Sequence, residues 1–503
     1  MSRSHRAGWT VALVCVAAVL LTLDVTIVNV ALPRIAADLG ARLDGLQWVV
    51  NGYTLAFAAL LLTAGSVSDR AGRVGIFTGG VALFTAASAA CGLAWSPVSL
   101  AAFRVAQGAG GAMVMGTAMA LIAGAHPPGR ARQAAIGLFA GVGGAAAGLG
   151  PLVGGVVVDT LGWRWIFFIN LPVGLALVAG ASLWLREPAR EASSPGRIDL
   201  AGAALAVLGL FGLNYALIAG SARGWGSPQV LGTLAAGVAL LGVFAAVEAR
   251  RPYAMLDVRL FRLPAFSGAV LLTFFARVTS FGALPYLILW LQGMLGHSPL
   301  QTGVRLLAMT LPILVVAPLA GRLGHRVPAS RLMAIGFALI CVAYVLMARV
   351  GPDSSWLVML PGFLLIGAGG ALAFPPLLGV TLDVVPGHRA GMASGLSNTF
   401  FPLGTATGVA AFGVIFAART DAEMSGTAPA TRAAVVSGRF EGLGDGPVRE
   451  LAEVAFTRAL STTCLVAAAV ALVAVVTALV LVRPGNTREP GPELISGGAR
   501  ETV

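Results

Sequence analysis

Long apolar stretches, separated by short polar segments, run along almost the whole chain. A helix of about 20 apolar residues is long enough to cross the roughly 30 Å hydrocarbon core of a bilayer. The sequence contains fourteen such stretches, and we predict helices at residues 9–32, 46–65, 75–95, 98–122, 134–158, 165–186, 200–220, 230–248, 266–292, 299–320, 331–349, 355–379, 391–417 and 459–482. The pattern therefore predicts an all-α polytopic membrane protein.

Glycine-rich segments recur along the chain at a nearly constant separation. Gly-Ala-Gly-Gly-Ala occurs at 108–112 and again at 367–371. This repeat predicts two parallel six-helix bundles, residues 1–186 and 266–483, with two inserted helices in 187–265. Within the second bundle we expect segment 418–458 to be an extracytoplasmic loop, either flexible or forming a small cap. The tail 484–503, rich in Gly, Pro and Glu, is predicted to be cytoplasmic and disordered.

Composition and charge support a membrane protein and set its orientation. Of 503 residues 57% are hydrophobic and only 11% are charged. All 33 basic side chains are arginines, and the loops on one side hold twenty of them against ten on the other. The positive-inside rule then places both termini in the cytoplasm. The arginines are scattered, which argues against a nucleic-acid partner; the Arg-, Ala- and Gly-rich usage suggests a bacterial cytoplasmic membrane, where we expect a monomer in contact with lipid.

Asp24 is a carboxylic acid inside the first apolar stretch. An acid near the centre of a membrane helix costs about 2.5–3.5 kcal/mol on insertion scales, so it indicates a functional site. Desolvation disfavours its charged form, and we therefore expect it to bind and release a proton. The alternative is a structural aspartate paired with a neighbouring helix.

Several motifs resemble one known family. The run from Leu23 to Pro33, which includes Asp24, is similar to the first-helix signature of the fourteen-helix drug:proton antiporters of the major facilitator superfamily. Trp48–Tyr53 and Trp163–Pro172 resemble further stretches of that family. The resemblance implies a fold of six, two inserted and six helices, and alternating access around a central cavity.

The resemblance also implies a cytoplasmic gate and a proton-coupling arginine. Gly65, Asp69, Arg70, Gly72 and Arg73 match the superfamily loop between helices two and three, where ion pairs would form in one conformation and release in another; a merely topogenic basic loop is the alternative. Arg104 belongs to the pattern Arg-x-x-Gln-Gly-x-Gly, and its fixed positive charge would favour an ionised carboxylate nearby. One sequence does not tell whether Arg104 approaches Asp24, and a structural arginine capping carbonyls stays open.

Helix five carries a stretch that resembles the motif marking antiporters. Its residues are Gly137, Gly150, Pro151, Gly154 and Gly155. Glycines four apart form a groove for close helix contact, and Pro151 removes a backbone hydrogen bond. The family pattern has a further glycine where this chain has Ala146.

Other polar groups within the predicted spans are candidates for the substrate cavity. We assign to it Asn29, Asn51, Tyr53, Gln107 and Arg277. For Arg277 a carbonyl-paired position in the bundle is an equal alternative. The chain has neither a phosphate-binding Gly-x-x-x-x-Gly-Lys loop nor histidines at metal-ligand spacing, so we expect no enzyme activity, no metal and no cofactor, with the proton gradient as energy source.

The sequence thus predicts a proton-coupled exporter of an amphipathic or cationic, antibiotic-like small molecule. Two alternatives remain open. One is a metabolite or lipid-precursor transporter with different coupling, and the other is a membrane sensor of the same fold that does not transport.

Overall fold

The computed structural model describes residues 3–126, 130–185, 200–250, 258–323, 326–383, 390–440, 443–444 and 446–483. These residues form helices joined by short turns. The α-helices of the first part are α1 Arg3–Leu39, α2 Leu43–Ala71, α3 Arg73–Gly92, α4 Pro97–Ala125, α5 Arg130–Thr160, α6 Trp165–Phe168, α7 Asn170–Trp184, α8 Leu200–Arg223 and α9 Pro228–Arg250. Those of the second part are α10 Pro264–Arg277, α11 Leu284–Leu289, α12 Pro299–Leu323, α13 Ala329–Met347, α14 Leu360–Asp383, α15 Ala390–Glu423, α16 Pro429–Val436 and α17 Pro447–Leu481.

Twelve helical segments of the described chain are long and apolar enough to cross a membrane. The two predicted spans outside that set correspond to α2 and α8. The apolar part of α8, Ala204–Leu217, is shorter than the twelve segments. The all-helical membrane class is therefore confirmed, while the count of fourteen stays a prediction.

Local sequence explains how several helices begin and end. α4 starts with a reciprocal capping pair, in which Ser96 Oγ accepts from the Ser99 N–H, and Pro97 follows at the first helical position, where no N–H is needed. Gly72 links α2 to α3 with φ +106°, a conformation that glycine adopts without strain. A single residue thus turns the chain between two long helices.

The predicted span 266–292 is not a uniform helix. It runs as α10, a π-helix at Val278–Gly282, α11 and a second π-helix at Trp290–Met294. Pro285 lies at the start of α11 and has no N–H to donate. Single-turn π-helices like the two in this segment are frequently found at functional sites.

Segment 418–458 is mostly helical. α15 extends to Glu423, α16 occupies Pro429–Val436, and α17 already begins at Pro447. Phe440 packs against Phe456 of α17 with ring centroids 5.5 Å apart. The described residues of this segment are therefore largely helical, and its extracytoplasmic location stays a prediction.

Glycine contacts recur between the first bundle (α1–α7) and the second (α10–α17). A methyl group on Gly110 of α4 would meet Gly80 and Phe84 of α3, and one on Gly369 of α14 would meet Gly336 and Ile340 of α13. The matching glycines found in the sequence therefore serve the same helix-to-helix contacts. The bundle boundaries themselves stay predictions.

The two bundles touch at the end of the molecule where α1 ends and α2 begins, which we call the closed end. There Gln47 Nε2 donates to Tyr286 Oη at 3.0 Å and to the Val409 carbonyl at 3.1 Å, and Gln292 Nε2 donates to the Val30 carbonyl at 2.9 Å. A Cβ on Gly155 of α5 would lie 2.5 Å from the Pro299 carbonyl of α12.

Towards the opposite end the same helices diverge. Gly148 of α5 is still in reach of Thr310 of α12, at 3.3 Å from a built Cβ. Nearer the start of α5, Gly141, Gly143 and Gly144 have nothing within 4 Å of a built Cβ. Among the described glycines of α5, those that contact α12 therefore lie in the half of the helix nearest the closed end.

The inserted helices α8 and α9 pack against each other through Gly209, Gly212 and Gly237. Only α8 reaches the rest of the described molecule by ring contacts: Trp48 of α2 lies 6.5 Å from Phe211 and 6.1 Å from Tyr215, centroid to centroid. The hairpin lies beside α2 and α15, and Phe244 of α9 packs against the apolar core of the second bundle.

Candidate functional site

Asp24 lies in the middle of α1 and is 2% exposed. Its Oδ2 accepts from Arg104 Nη1 at 2.5 Å, and its Oδ1 accepts from Gln107 Nε2 at 2.8 Å and from Asn170 Nδ2 at 2.9 Å. Three donors from α4 and α7 therefore converge on one carboxylate. The sequence left the approach of Arg104 to Asp24 undecided, and the structure places them in a buried ion pair.

Arg104 is held as firmly as its partner and is 1% exposed. Its Nε donates to the Val49 carbonyl at 3.1 Å and its Nη1 also donates to Gln107 Oε1 at 2.8 Å. The guanidinium carbon lies 4.4 Å from the centroid of the Tyr53 ring, a cation–π arrangement. Arg104 and Gln107 are three residues apart on α4, so both side chains leave the helix on one face.

Asn170 and Ser88 complete the site and were not predicted from the sequence. Asn170 Nδ2 also donates to Ser88 Oγ at 3.0 Å, and Ser88 Oγ donates to the Phe167 carbonyl at 2.9 Å. Asn170 lies in the Trp163–Pro172 motif, where a lone amide in an apolar run was the available signal. These contacts connect α3, α6 and α7 to the ion pair on α1 and α4.

The groups around Asp24 are all hydrogen-bond donors. Each hydrogen bond to its oxygens is donated by an N–H group, from Arg104, Gln107 or Asn170. The Gln107 amide is oriented by Arg104, because only the carbonyl end of that amide can accept from the guanidinium. Three hydrogen-bond donors, one of which carries a full positive charge, stabilise a negative charge on this carboxylate.

Glycines allow α2 and α4 to approach closely enough to form the pair. A methyl group on Gly108 would overlap the backbone carbonyl of Tyr53, and one on Gly52 would lie 3.0 Å from the Ala101 carbonyl. Backbone atoms cannot rotate away as side chains do. The pattern that contains Arg104 therefore includes the glycine that sets how far Arg104 reaches.

The glycine motif of α5 contacts two helices, α1 and α12. A methyl group on Gly150 would overlap Thr26 of α1, and one on Gly154 would lie 3.1 Å from the Ile27 Cα, whereas Gly155 faces α12. Gly303 of α12 packs against the Pro151 carbonyl. The motif thus joins the helix that carries Asp24 to the second bundle; Gly137 lies outside the described side chains.

The gate segment is described only in part. Gly65 and Gly72 lie at the end of α2, and Arg73 Nη1 donates to the Ala120 carbonyl of α4 at 3.4 Å. The side chains of Asp69 and Arg70 lie outside the described residues. The proposed ion pairs of this segment therefore stay predictions.

The residues assigned to a substrate cavity separate into two groups. Tyr53 and Gln107 lie at the Asp24–Arg104 pair. Of the other three, Asn29 is 6% exposed and donates to the Val25 carbonyl of its own helix, Asn51 is fully buried on α2, and Arg277 is half-buried at the end of α10.

A second aspartate on α1 offers a contrast to Asp24. Asp38, near the end of α1, accepts from Arg164 Nη1 at 2.5 Å and from Trp163 Nε1 at 3.0 Å, but this pair is exposed. It lines an open surface cleft of 710 Å³ together with Arg34, Asp159 and Trp165. The same helix thus carries one buried and one solvated ion pair.

Comparison with known proteins identifies relatives over almost the whole chain. The family model described as Major Facilitator Superfamily matches residues 14–252 and 269–497. The chain is 35% identical to the tetracenomycin C resistance and export protein of Streptomyces glaucescens, over 96% of this chain and 93% of that protein. It is 35% identical to the puromycin resistance protein of Streptomyces alboniger, over 87% of each chain. It is 36% identical to the multidrug resistance protein Stp of Mycobacterium tuberculosis, over 79% of this chain and 73% of that one.

Solved structures share the fold. A bacterial homologue of the human lysosomal transporter Spinster, in its inward-facing and occupied conformation, superposes with a TM-score of 0.70 at 19% identity, over 96% of this chain and 98% of that one. The unoccupied form gives 0.67 over 97% and 99%. At this identity the likeness concerns the fold alone.

Proposed function

This chain belongs to the Major Facilitator Superfamily, and from that premise we propose that it exports an amphipathic, antibiotic-like small molecule in exchange for protons. Its relatives are named as resistance and export proteins for tetracenomycin C, puromycin and several drugs. Resistance to drug-like compounds is what these names share, and the first of them also names export. Proton coupling is the part that the site geometry supports.

The observation that carries the proposal is the set of hydrogen bonds to the Asp24 carboxylate. Both oxygens of this buried acid are engaged by donors, and its counter-charge, Arg104, cannot lose its proton. A proton that binds to Asp24 removes the negative charge that pairs with Arg104, and so weakens this contact between α1 and α4. Protonation is therefore linked to the relative position of α1 and α4, which is what coupling requires.

The conformation supports a definite place in the cycle. If both termini lie in the cytoplasm, as the arginine distribution predicts, the closed end faces outside and the opposite end faces the cytoplasm. We place this conformation after release of the proton from Asp24, because the donors around the carboxylate stabilise a negative charge. Substrate then enters from the cytoplasm, the bundles rock, substrate leaves outside, and Asp24 is protonated from the outer medium before the return.

Neutralising Asp24 has a physical consequence for the return step. A protonated Asp24 no longer compensates Arg104, and an uncompensated buried charge is unfavourable by several kcal/mol. The bundle would relieve that cost by moving α1 relative to α4. Because Gly150 and Gly154 hold α5 against α1, and Gly155 holds α5 against α12, this movement reaches the second bundle.

The test is proton exchange in everted membrane vesicles. Addition of tetracenomycin C, the compound named for a relative, should release protons from energised vesicles that contain the wild-type protein. Asp24→Asn should abolish this release, because it keeps the size and shape of the side chain but removes its titration. Asp38→Asn is the matched control on the same helix and should behave as wild type. Undiminished exchange by Asp24→Asn, or uptake that an uncoupler does not affect, would overturn the proposal.

A further inference from the structure

We propose that a phosphatidylethanolamine molecule of the surrounding membrane binds with its headgroup in the open cleft between the end of α1, the end of α5 and the start of α6. This site is distinct from the Asp24–Arg104 pair, because Asp38 on its wall lies fourteen residues beyond Asp24 along α1, about 21 Å away. The inference goes beyond the proposed export function and does not depend on it.

The cleft is lined by both charged and apolar side chains. Its volume of 710 Å³ lies within the roughly 300–1,000 Å³ of small-molecule sites. Four charged residues line it, two of each sign: Arg34, Asp38, Asp159 and Arg164. Its apolar part is supplied by Leu161, Trp163, Trp165 and Phe168, among others. A ligand that fills this cleft therefore has both a charged and an apolar part.

Two of the four charges are already paired with each other. Asp38 accepts from Arg164 Nη1 at 2.5 Å and from Trp163 Nε1 at 3.0 Å. The Arg164 guanidinium carbon lies 4.4 Å from the Trp163 ring centroid, and its Nη2 donates to the Ala94 carbonyl at 3.4 Å. These contacts hold the Asp38–Arg164 pair as one wall of the cleft and leave the recognition of a ligand to the other two charges.

Arg34 and Asp159 are the charges available to a ligand. Both are exposed, and neither side chain has an ion pair or hydrogen bond among the residues that the structure describes. They line the same cleft from the packed helices α1 and α5 without pairing with each other. A ligand with one charge would satisfy one of them, whereas a zwitterion satisfies both. Its anionic part would bind Arg34, and its cationic part would bind Asp159.

The position of the cleft along the helices corresponds to the membrane boundary. Arg34 and Asp159 lie one or two residues beyond the ends of their predicted spans. Trp165 and Leu161 are 49% and 58% exposed. Tryptophan is enriched at membrane–water interfaces, where its ring lies at the level of the lipid headgroups. The charged part of the cleft is therefore at headgroup level, with exposed apolar side chains beside the acyl chains.

A membrane lipid fits this cleft better than a soluble zwitterion does. Ion pairs between exposed groups contribute little to binding, so a free zwitterion would bind weakly. A lipid is already held in the membrane by its acyl chains, and its headgroup therefore meets the cleft at a high effective concentration.

Phosphatidylethanolamine matches both charges with hydrogen-bonding groups. Its phosphate accepts from a guanidinium, and its primary ammonium has three N–H groups to donate to a carboxylate. The ammonium of phosphatidylcholine has no N–H, and phosphatidylglycerol has no positive charge. Of these three lipids, phosphatidylethanolamine is the one that provides a partner for both Arg34 and Asp159.

Native mass spectrometry of the purified, full-length protein in detergent tests this inference by counting bound lipids. The dioleoyl forms of the three lipids share their acyl chains and differ in the headgroup. We expect the first phosphatidylethanolamine to bind with a Kd at least fivefold below that of the other two, a difference of about 1 kcal/mol. Arg34→Gln and Asp159→Asn should each raise this Kd about fivefold. Asp159→Asn should not raise the Kd for phosphatidylglycerol, whose headgroup has no ammonium.

Arg349→Gln and Asp353→Asn are the matched controls. Both residues are exposed and follow α13 in the second bundle, and neither lines the cleft. Their substitution should leave all three Kd values unchanged. Equal Kd values for the three lipids, equal effects of the cleft and control substitutions, or displacement of phosphatidylethanolamine by low-millimolar phosphoethanolamine would each overturn the inference.

Discussion

Neutralising both members of the Asp24–Arg104 pair should restore the stability that neutralising Arg104 alone removes, without restoring transport. Arg104→Gln leaves a buried carboxylate with two amide donors and no counter-charge. Loss of one partner of a buried pair costs about 3–5 kcal/mol, whereas replacing both by neutral groups is often close to neutral. The double variant Asp24→Asn/Arg104→Gln keeps groups that hydrogen-bond to Gln107 and Asn170.

The expected magnitudes follow from these contacts. We expect Arg104→Gln to lower the free energy of unfolding by about 3–5 kcal/mol and the double variant to recover about 2 kcal/mol or more of it. Equilibrium unfolding in mixed micelles, followed by tryptophan fluorescence, gives these values, and the vesicle assay gives transport in parallel. Both single variants and the double variant should lack proton-driven export.

An exposed pair on the same helix provides the reference. The cycle of Asp38→Asn and Arg164→Gln should show a coupling energy below about 1 kcal/mol, since both side chains are solvated. A double variant no more stable than Arg104→Gln would show that the buried pair is not energetically coupled. A double variant that still exchanges protons for substrate would refute the role of Asp24 altogether.

Three further outcomes follow from the structure. Gly108→Ala should destabilise by about 1–3 kcal/mol and weaken transport, because its methyl group would force α4 away from the Tyr53 carbonyl. Gln47→Ala should open the closed end about tenfold more often, because two buried hydrogen bonds between the bundles are lost; amide exchange of peptides from α11 measures it. The pKa of His297 is lowered by burial and, secondarily, by Arg305, so the unfolded chain takes up a proton first and stability falls as pH drops below about 6.5; His297→Asn should reduce that loss in a thermal-unfolding series.

Each of these outcomes has a control within the chain. Gly143→Ala, where nothing lies within 4 Å of the new methyl group, should be neutral or slightly stabilising. Gln301→Ala replaces an exposed glutamine at the start of α12 and should leave α11 exchange unchanged. His126→Asn tests whether any loop histidine has the same effect. Equal responses of a variant and its control would contradict the corresponding reasoning.

Much of the fold followed from the sequence because hydrophobicity dictates it. Spans of about twenty apolar residues leave helices as the available solution in lipid, and glycine repeats mark where those helices touch. The fourteen-span count was less secure, since α8 has a short apolar part and the predicted loop 418–458 folds largely into helix. Apolar patterns do not encode such helices, whose lengths depend on packing.

For the site, the sequence predicted which charged residues are important but did not predict all of the polar residues that contact them. Asp24 and Arg104 stood out because charges in apolar spans are costly, and helical spacing placed Gln107 beside Arg104. Asn170 and Ser88 are ordinary polar residues whose relevance depends on how α7 and α3 pack, which is long-range information. Tyr53 and Gln107 were assigned to a substrate cavity, yet they lie at the ion pair. Their position, too, depends on how the helices pack.

The hairpin of α8 and α9 has one more implication. Its two helices follow each other in the chain and run antiparallel. Among the described residues, their ring contacts with other helices are made to Trp48 of α2. If both helices cross the membrane as predicted, the pair returns the polypeptide to the side from which it came. Deleting residues 200–250 as one unit would then leave the predicted orientation of every later helix unchanged.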